Sequence, residues 1–203
     1  MNHGPTIFLG VLLTFASAWL GLVFAPYSQL NKLKPAASDT GGDFYPKPLS
    51  GLAAKGRAVY QANGCTYCHT QQIRPEGFGV DIDRGWGPRR SVPRDYLYDS
   101  PHLLGSMRTG PDLFNIGSRQ PSSNWHHLHL YDPQTVSPGS TMPRFRFLYE
   151  TRKIVGAKSR KALDTPPDWN VPAGYEIVPT EDALALVAYL KSLDHTTPLP
   201  EAE

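Results

Sequence analysis

One short motif constrains this chain more than any other feature. Cys65, Cys68 and His69 stand in the pattern Cys-x-x-Cys-His, and the chain contains only two cysteines. Two thiols one turn apart can each form a thioether with one vinyl group of a haem, and the adjacent histidine then reaches the iron. The motif therefore predicts one covalently attached haem c, with His69 as an axial iron ligand. Zinc binding and dithiol chemistry are the alternatives, but no second ligand pair of zinc spacing follows.

The N-terminal segment predicts a membrane anchor. An apolar run without a charged residue extends from Ile7 to Phe24. At ~1.5 Å per residue, a helix over this run is about 27 Å long, close to the hydrocarbon thickness of a bilayer. A cleaved signal peptide is the alternative, because Ala16–Ala18 has the A-x-A pattern. However, no Lys or Arg precedes the run, and apolar residues continue past that site. We predict a retained transmembrane helix at residues 1–26.

The orientation of this anchor rests on two opposing signals. Lys32 and Lys34 follow the apolar run, and positive residues favour the cytoplasmic side. Resemblance to c-type cytochromes implies that haem is attached on the outer face of the membrane. We give more weight to the haem. The expected protein is a single-pass protein of the bacterial inner membrane with a cytoplasmic N-terminus and a periplasmic haem domain.

The remainder of the chain reads as a linker and one domain. Residues 27–49 are expected to be a linker, and residues 50–203 a haem domain. The chain has 20 prolines, 18 glycines and a net charge of +2, and its first Lys, Arg, Asp or Glu is Lys32. The lysines and arginines are scattered, which excludes the concentrated basic patch of a nucleic-acid-binding protein.

Three helices are predicted in the outer domain, and no convincing strand pattern is present. One covers Gly51–Ala62, capped by Ser50 and stopped by Asn63-Gly64. A weaker one begins near Pro121–Ser123. The clearest begins after Thr180, a good N-cap residue, and its apolar residues recur at helical spacing. Those residues are Ala183, Leu186, Val187, Leu190 and Leu193.

The order of helix, haem motif, long loops and terminal helix resembles the small mono-haem cytochrome c fold, which is mainly α. In that fold the first and last helices cross. The resemblance assigns Gly56 and Tyr60 to one side of the crossing and Tyr189 and Leu190 to the other. A glycine at such a crossing lets the two backbones approach closely.

The same resemblance implies a partner for the proximal histidine. Gly110-Pro111-Asp112-Leu113 matches the Gly-Pro-x-Leu segment of that fold. The backbone carbonyl of Pro111 is then expected to accept a hydrogen bond from the ring of His69, which fixes the tautomer and raises the basicity of the ligand.

The second axial ligand is expected to be Met142. Met107 and Met142 are the only methionines after Met1, and cytochrome c order places the distal ligand after the Gly-Pro-x-Leu segment. Met142 is also followed by proline, as in that family. Four histidines compete as ligands of iron or of another metal, and we expect one or two of them to be solvated or hydrogen-bonded instead. They are His102, His126, His127 and His129.

A more specific resemblance covers nearly the whole outer domain. Residues 65–75 read Cys-Thr-Tyr-Cys-His-Thr-Gln-Gln-Ile-Arg-Pro, which resembles the mono-haem subunit of cbb3-type cytochrome c oxidases (subunit II, CcoO or FixO). Arg108–Leu113, Trp125-His126 and Ser140–Pro143 fit the same family in the same order. Two segments depart from it, Gly79–Pro101 and Arg152–Pro179.

This resemblance implies a non-catalytic electron-transfer subunit of a membrane-bound respiratory oxidase. The expected donor is a c-type cytochrome, such as a di-haem subunit. The expected acceptor is the haem b of a large haem–copper subunit, which reduces O2 to water. The alternatives are the cytochrome c subunit of a nitric oxide reductase and a free-standing anchored electron carrier. A haem sensor or peroxidase is disfavoured, because Met142 would close the iron to small molecules.

Overall fold

The computed structural model describes residues 2–37 and 43–202 and contains two compact units. One unit comprises Met1–Pro46 together with Pro93–Leu97, and the other comprises Lys47–Val92 and Tyr98–Glu203. The segment Pro93–Leu97 therefore joins the N-terminal unit although it follows the haem motif in sequence. Residues 38–42 of the expected linker lie outside the described residues.

The N-terminal unit begins with one long apolar helix. Helix α1 extends over Gly4–Leu30, 27 residues that are long and apolar enough to cross a membrane. A π-helical turn interrupts its α-helical geometry at Leu20–Phe24. The helix contains the predicted apolar run and continues past residue 26 into the expected linker. Its apolar side chains are exposed in the isolated chain, as expected of a helix whose natural surroundings are lipid or other subunits.

The expected linker also contains some folded structure. Strands β1 (Ala36–Ala37) and β2 (Phe44–Tyr45) pair antiparallel. The hydroxyl of Tyr45 donates a 2.6 Å hydrogen bond to Asp95, which lies in the 3-10 helix Pro93–Tyr96. A buried tyrosine–carboxylate bond of this kind fixes the segment to a distant part of the same unit.

The second unit has four α-helices among its described residues. They are α2 (Gly51–Ala62), α3 (Ile116–Arg119), α4 (Ser123–Tyr131) and α5 (Glu181–Ser192). The prediction for α2 is confirmed at both ends, and Gly64 follows it in left-handed geometry (φ 67°). Ser50 holds the N-cap position, but its side chain makes no capping hydrogen bond. Thr180 does cap α5, since its hydroxyl accepts a 3.3 Å bond from the Ala183 amide.

A β-hairpin corrects the expectation that the domain has no strand. Strand β3 (Tyr149–Lys153) pairs antiparallel with β4 (Tyr175–Pro179). Only the first residue of β3 is buried, so the strand lacks the alternation that sequence analysis detects. The pairing brings together the two ends of the segment Arg152–Pro179, which departs from the family pattern. Short 3-10 helices complete the described fold: Cys65–Tyr67, Pro133–Thr135, Arg146–Leu148, Pro167–Trp169 and Pro200–Ala202.

The core of this unit is the predicted crossing of α2 and α5. A Cβ atom placed on Gly56 would lie 1.8 Å from the carbonyl oxygen of Ala185, so only glycine permits this approach. One turn further, the rings of Tyr60 and Tyr189 meet edge to face at 5.3 Å. Both side chains are almost fully buried. The haem motif follows α2 directly, so the crossing fixes the position of the motif.

Candidate haem site

The two cysteines and His69 lie on one tight turn. Gly64, at φ 67°, reverses the chain at the end of α2, and a 3-10 turn then begins at Cys65. The amides of Cys68 and His69 both donate to the carbonyl oxygen of Cys65, at 3.2 and 3.0 Å. This compact turn brings both thiols and the imidazole to one cavity.

That cavity has a volume of about 560 Å³, within the usual range for cofactor sites of about 300–1,000 Å³. Its walls include all the residues predicted to hold haem: Cys65, Cys68, His69, Pro111 and Met142. Aliphatic side chains form much of the rest, namely Leu113, Ile116, Leu130, Leu186 and Leu190. Two thiols, an imidazole and a thioether on an apolar cavity fit the chemistry of a covalently attached haem.

The ring of His69 is fixed by two neighbours. Its Nδ1 atom lies 2.7 Å from the carbonyl oxygen of Pro111, so Nδ1 carries the proton and Nε2 keeps a free lone pair. Burial lowers the pKa of His69, which favours the neutral imidazole that binds a metal. Gly110 lies against the same ring, and its amide donates a 2.9 Å bond to the carbonyl of Cys68. The arrangement suits an axial ligand.

The state of the thiols opposes the alternatives to haem. Cys65 and Cys68 are not joined in a disulfide. Burial raises the pKa of Cys65 to about 11, so this group is a thiol rather than a thiolate near neutral pH. A reactive dithiol needs a readily formed thiolate, so the surroundings of Cys65 disfavour dithiol chemistry. A structural zinc site needs four ligands, and among the described residues no group of three or more His, Cys, Asp or Glu side chains surrounds the two cysteines.

The geometry distinguishes the two methionines. Met142 is half-buried, lines the cavity and packs against the hydrophobic core. Its backbone amide donates a 3.2 Å bond to the hydroxyl of Ser140, which holds the Ser-Thr-Met-Pro segment in a tight turn. Met107 is 57% exposed and is not among the residues that line the cavity. Its position gives Met107 no access to the haem site.

Two histidines of α4, His126 and His127, are buried and hydrogen-bonded, and His129 is half-buried. A ring nitrogen of His126 lies 2.8 Å from the carbonyl oxygen of Gln120. The Nδ1 atom of His127 lies 3.1 Å from the hydroxyl of Tyr149. His129 stacks on Trp125 at 4.8 Å. Over residues 2–37 and 43–202, no group of three or more His, Cys, Asp or Glu side chains is arranged to hold a metal ion.

Two further polar residues line the cavity. Arg119 and His129 both line it, and Nε of Arg119 and Nδ1 of His129 are buried without a hydrogen-bond partner among the described residues. Unpaired buried polar atoms are costly and indicate a partner outside the chain. The polar groups at the edge of a haem are carboxylates, which can accept hydrogen bonds from these two nitrogen atoms. Both residues therefore support the fit of a haem to the cavity. His129 was considered from the sequence as a competing ligand, whereas no sequence signal marked Arg119, because a single polar residue on a short helix is usually exposed.

Comparison with protein families agrees with this geometry. The family described as cytochrome C oxidase, mono-heme subunit/FixO, matches residues 36–177. The match covers most of the chain and contains every residue predicted to hold the haem, from Cys65 to Met142. It begins after α1 and ends within β4, so the anchor and α5 lie outside it. A search of curated proteins found no match to the chain.

Proposed function

Because this chain belongs to the FixO family, the mono-haem subunit of cbb3-type cytochrome c oxidases, we propose that it relays electrons inside that oxidase. The electrons come from a c-type cytochrome, such as a di-haem subunit. They pass to the haem b of the large haem–copper subunit, where O2 is reduced to water. This chain carries no catalytic residue of its own.

The observation that most supports this proposal is the meeting of Cys65, Cys68, His69, Pro111 and Met142 at one apolar cavity. A haem bound there supplies one-electron exchange between ferrous and ferric iron. Cys65 and Cys68 would hold it covalently. His69 would bind the iron through Nε2, while its Nδ1–H donates to the carbonyl of Pro111.

Met142 decides what kind of haem protein this is. Its thioether would be the second protein ligand of the iron and would close the iron to small molecules, and a Met/His ligand pair raises the reduction potential. The aliphatic side chains of Leu113, Ile116 and Leu190 would give the haem apolar surroundings. An apolar site with fixed ligands suits electron transfer, because little has to reorganise when an electron arrives.

Helix α1 supplies the attachment to the membrane complex. We propose that it stays on the mature protein with its N-terminus in the cytoplasm, and that the haem domain is periplasmic. A tethered domain meets its acceptor at a high effective concentration. Electron transfer to the large subunit is then intramolecular in effect.

The proposal is tested by one series of variants of the membrane-bound protein. Cys65→Ala and Cys68→Ala should each weaken or abolish covalent haem staining on a denaturing gel, and the double variant should show none, because thioether bonds are the only covalent link. Met142→Ala should keep the covalent haem but lose the low-spin spectrum and cytochrome-driven oxygen uptake.

Met107→Ala is the matched control, since it removes the exposed methionine and should leave staining, spectrum and oxygen uptake unchanged. A wild-type chain that binds zinc and no covalent haem would overturn the proposal. Normal oxygen uptake with an unchanged low-spin spectrum in Met142→Ala would exclude Met142 as a ligand.

A further inference from the structure

A buried ionic network lies behind the segment that holds His69. Arg108 donates to both carboxylate oxygens of Asp81, at 2.6 and 2.8 Å. Its Nε–H donates to the hydroxyl of Thr70 at 2.9 Å, and a further N–H donates to the carbonyl of Gln72 at 2.7 Å. The guanidinium also lies over the ring of Trp86, 5.2 Å from its centre. Arg108 is thereby fixed in one position.

The network ends at Asp112, whose residue is 0% exposed. Its carboxylate accepts bonds from the hydroxyl of Thr70 (2.6 Å), the amide of Gln72 (2.8 Å) and the amide of Phe114 (2.8 Å). Arg108 adds a charge contact at 3.8 Å. The two amides and the guanidinium can only donate, so among these neighbours only the Thr70 hydroxyl could accept a hydrogen from a protonated carboxyl.

The charge state of Asp112 reflects two opposing influences. The net effect is a raised pKa of its carboxyl, because burial outweighs the donors and Arg108, which lower it. The hydrogen bonds nevertheless favour the anion, because the amides and the guanidinium can only donate. The Thr70 hydroxyl, which accepts the Arg108 N–H, also donates to Asp112. Asp112 is therefore a carboxylate held in a region of low dielectric constant, where charges act strongly on one another.

Asp112 is directly connected to the proximal side of the haem site. It follows Pro111, whose carbonyl accepts the His69 N–H. The amide of Leu113 donates to the carbonyl of Thr70 at 2.8 Å, next to His69 in the chain. The carboxylate is thus bound to both segments that hold the proximal histidine.

We propose that Asp112, held by Arg108, is a positioning residue that lowers the reduction potential of the haem. The inference rests on the proposed function, in which His69 is an iron ligand. On oxidation one electron leaves for the acceptor haem, no proton moves, and the site gains one positive charge. A fixed buried anion stabilises that charge and strengthens the Pro111–His69 hydrogen bond, and both effects favour the ferric state.

The test is the midpoint potential of the full-length, haem-loaded protein, measured by spectroelectrochemical titration at pH 8. Asp112→Asn keeps the size of the side chain and removes the charge. We expect the ferrous–ferric equilibrium to move toward the reduced form by about tenfold, which for one electron is about 59 mV. Arg108→Gln removes the opposing positive charge and should lower the potential, whereas Arg108→Lys should stay near the wild type.

These opposite signs separate a charge effect from a general loosening, which would move all the variants in one direction. Asp132→Asn is the matched control, because Asp132 is a buried carboxylate bound by Arg144 and Arg146 outside the network. The midpoint potential of this variant should equal that of the wild type. If Asp112→Asn does not load haem, the two variants Arg108→Gln and Arg108→Lys still show whether loss of the positive charge lowers the midpoint potential. Equal shifts in the same direction, or no shift, overturn the inference. A wild-type chain without covalent haem would instead refute the proposed function.

Discussion

At the scale of single residues, the site depends on the absence of a side chain at Gly110. A Cβ atom there would lie 2.2 Å from Cε1 and 2.7 Å from Nδ1 of the His69 ring. Real Cβ atoms do not approach ring atoms so closely, so any other residue would displace the ring or the backbone. The close contact explains why glycine precedes Pro111, and it leads to a sharp prediction.

Gly110→Ala should move the His69 ring away from the carbonyl of Pro111, because the ring is the nearest group that can shift. We expect covalent haem to remain, the low-spin spectrum to change, and stability to fall by about 1–3 kcal/mol, as for other overpacked sites. The measurements are the absorption spectrum and denaturant unfolding of the haem-loaded protein. Gly79→Ala is the control, since its Cβ would meet only side-chain atoms at looser distances, those of Arg74 at 3.2 Å and of Asp81 at 3.5 Å. A wild-type spectrum in Gly110→Ala would contradict the prediction.

How far the site could be predicted differs from residue to residue. Cys65, Cys68 and His69 followed from covalent chemistry, since the spacing of the thiols is set by the haem itself. Pro111 and Met142 required resemblance to a family, because a turn and a lone methionine have many commoner roles. Arg119 and the network around Asp112 were not predicted. Burial of a charge depends on contacts between distant segments, and the residue types alone suggest an exposed surface.

At the scale of elements, the three predicted helices of the haem domain are present, whereas the short helix α3 and the strands were not predicted. Caps, stops and helical spacing are local signals, and they marked α2 and α5 closely. The pairing of β3 with β4 joins residues that are far apart in sequence, and β3 is mostly polar and exposed. Neither strand carries a local pattern that would reveal its partner, so the hairpin had to come from the three-dimensional structure.

The crossing of α2 and α5 yields the prediction for this scale. Gly56→Ala places a methyl group where the carbonyl of Ala185 now lies, so the helices must separate. We expect a loss of unfolding free energy of about 1–3 kcal/mol or more, measured by denaturant unfolding. The control is Ala58→Leu, which adds volume at an exposed position of the same helix and should change stability by about 0.5 kcal/mol or less. Equal effects of the two changes would show that the crossing is not tightly packed.

At the scale of the whole molecule, α1 must be explained together with the haem domain. The helix is apolar throughout and exposes its side chains in the isolated chain. The FixO family is a subunit of a membrane oxidase, which accounts for such a helix. The sequence signals conflict on the orientation of α1 in the membrane, because Lys32 and Lys34 favour a cytoplasmic position for the segment that leads to the haem domain.

We expect translocation of the haem domain to prevail, because two lysines give a weak bias that a large domain and partner subunits can override. Residues 1–26 should remain on the mature protein, so intact-mass measurement should show them, whereas a mature start near Trp19 would indicate a cleaved signal peptide. Protease added to spheroplasts should digest the haem domain, and inverted vesicles should protect it. A control protein of the cytoplasm must stay intact in the spheroplasts. The reverse pattern of protection would place the haem domain in the cytoplasm and contradict the proposed orientation.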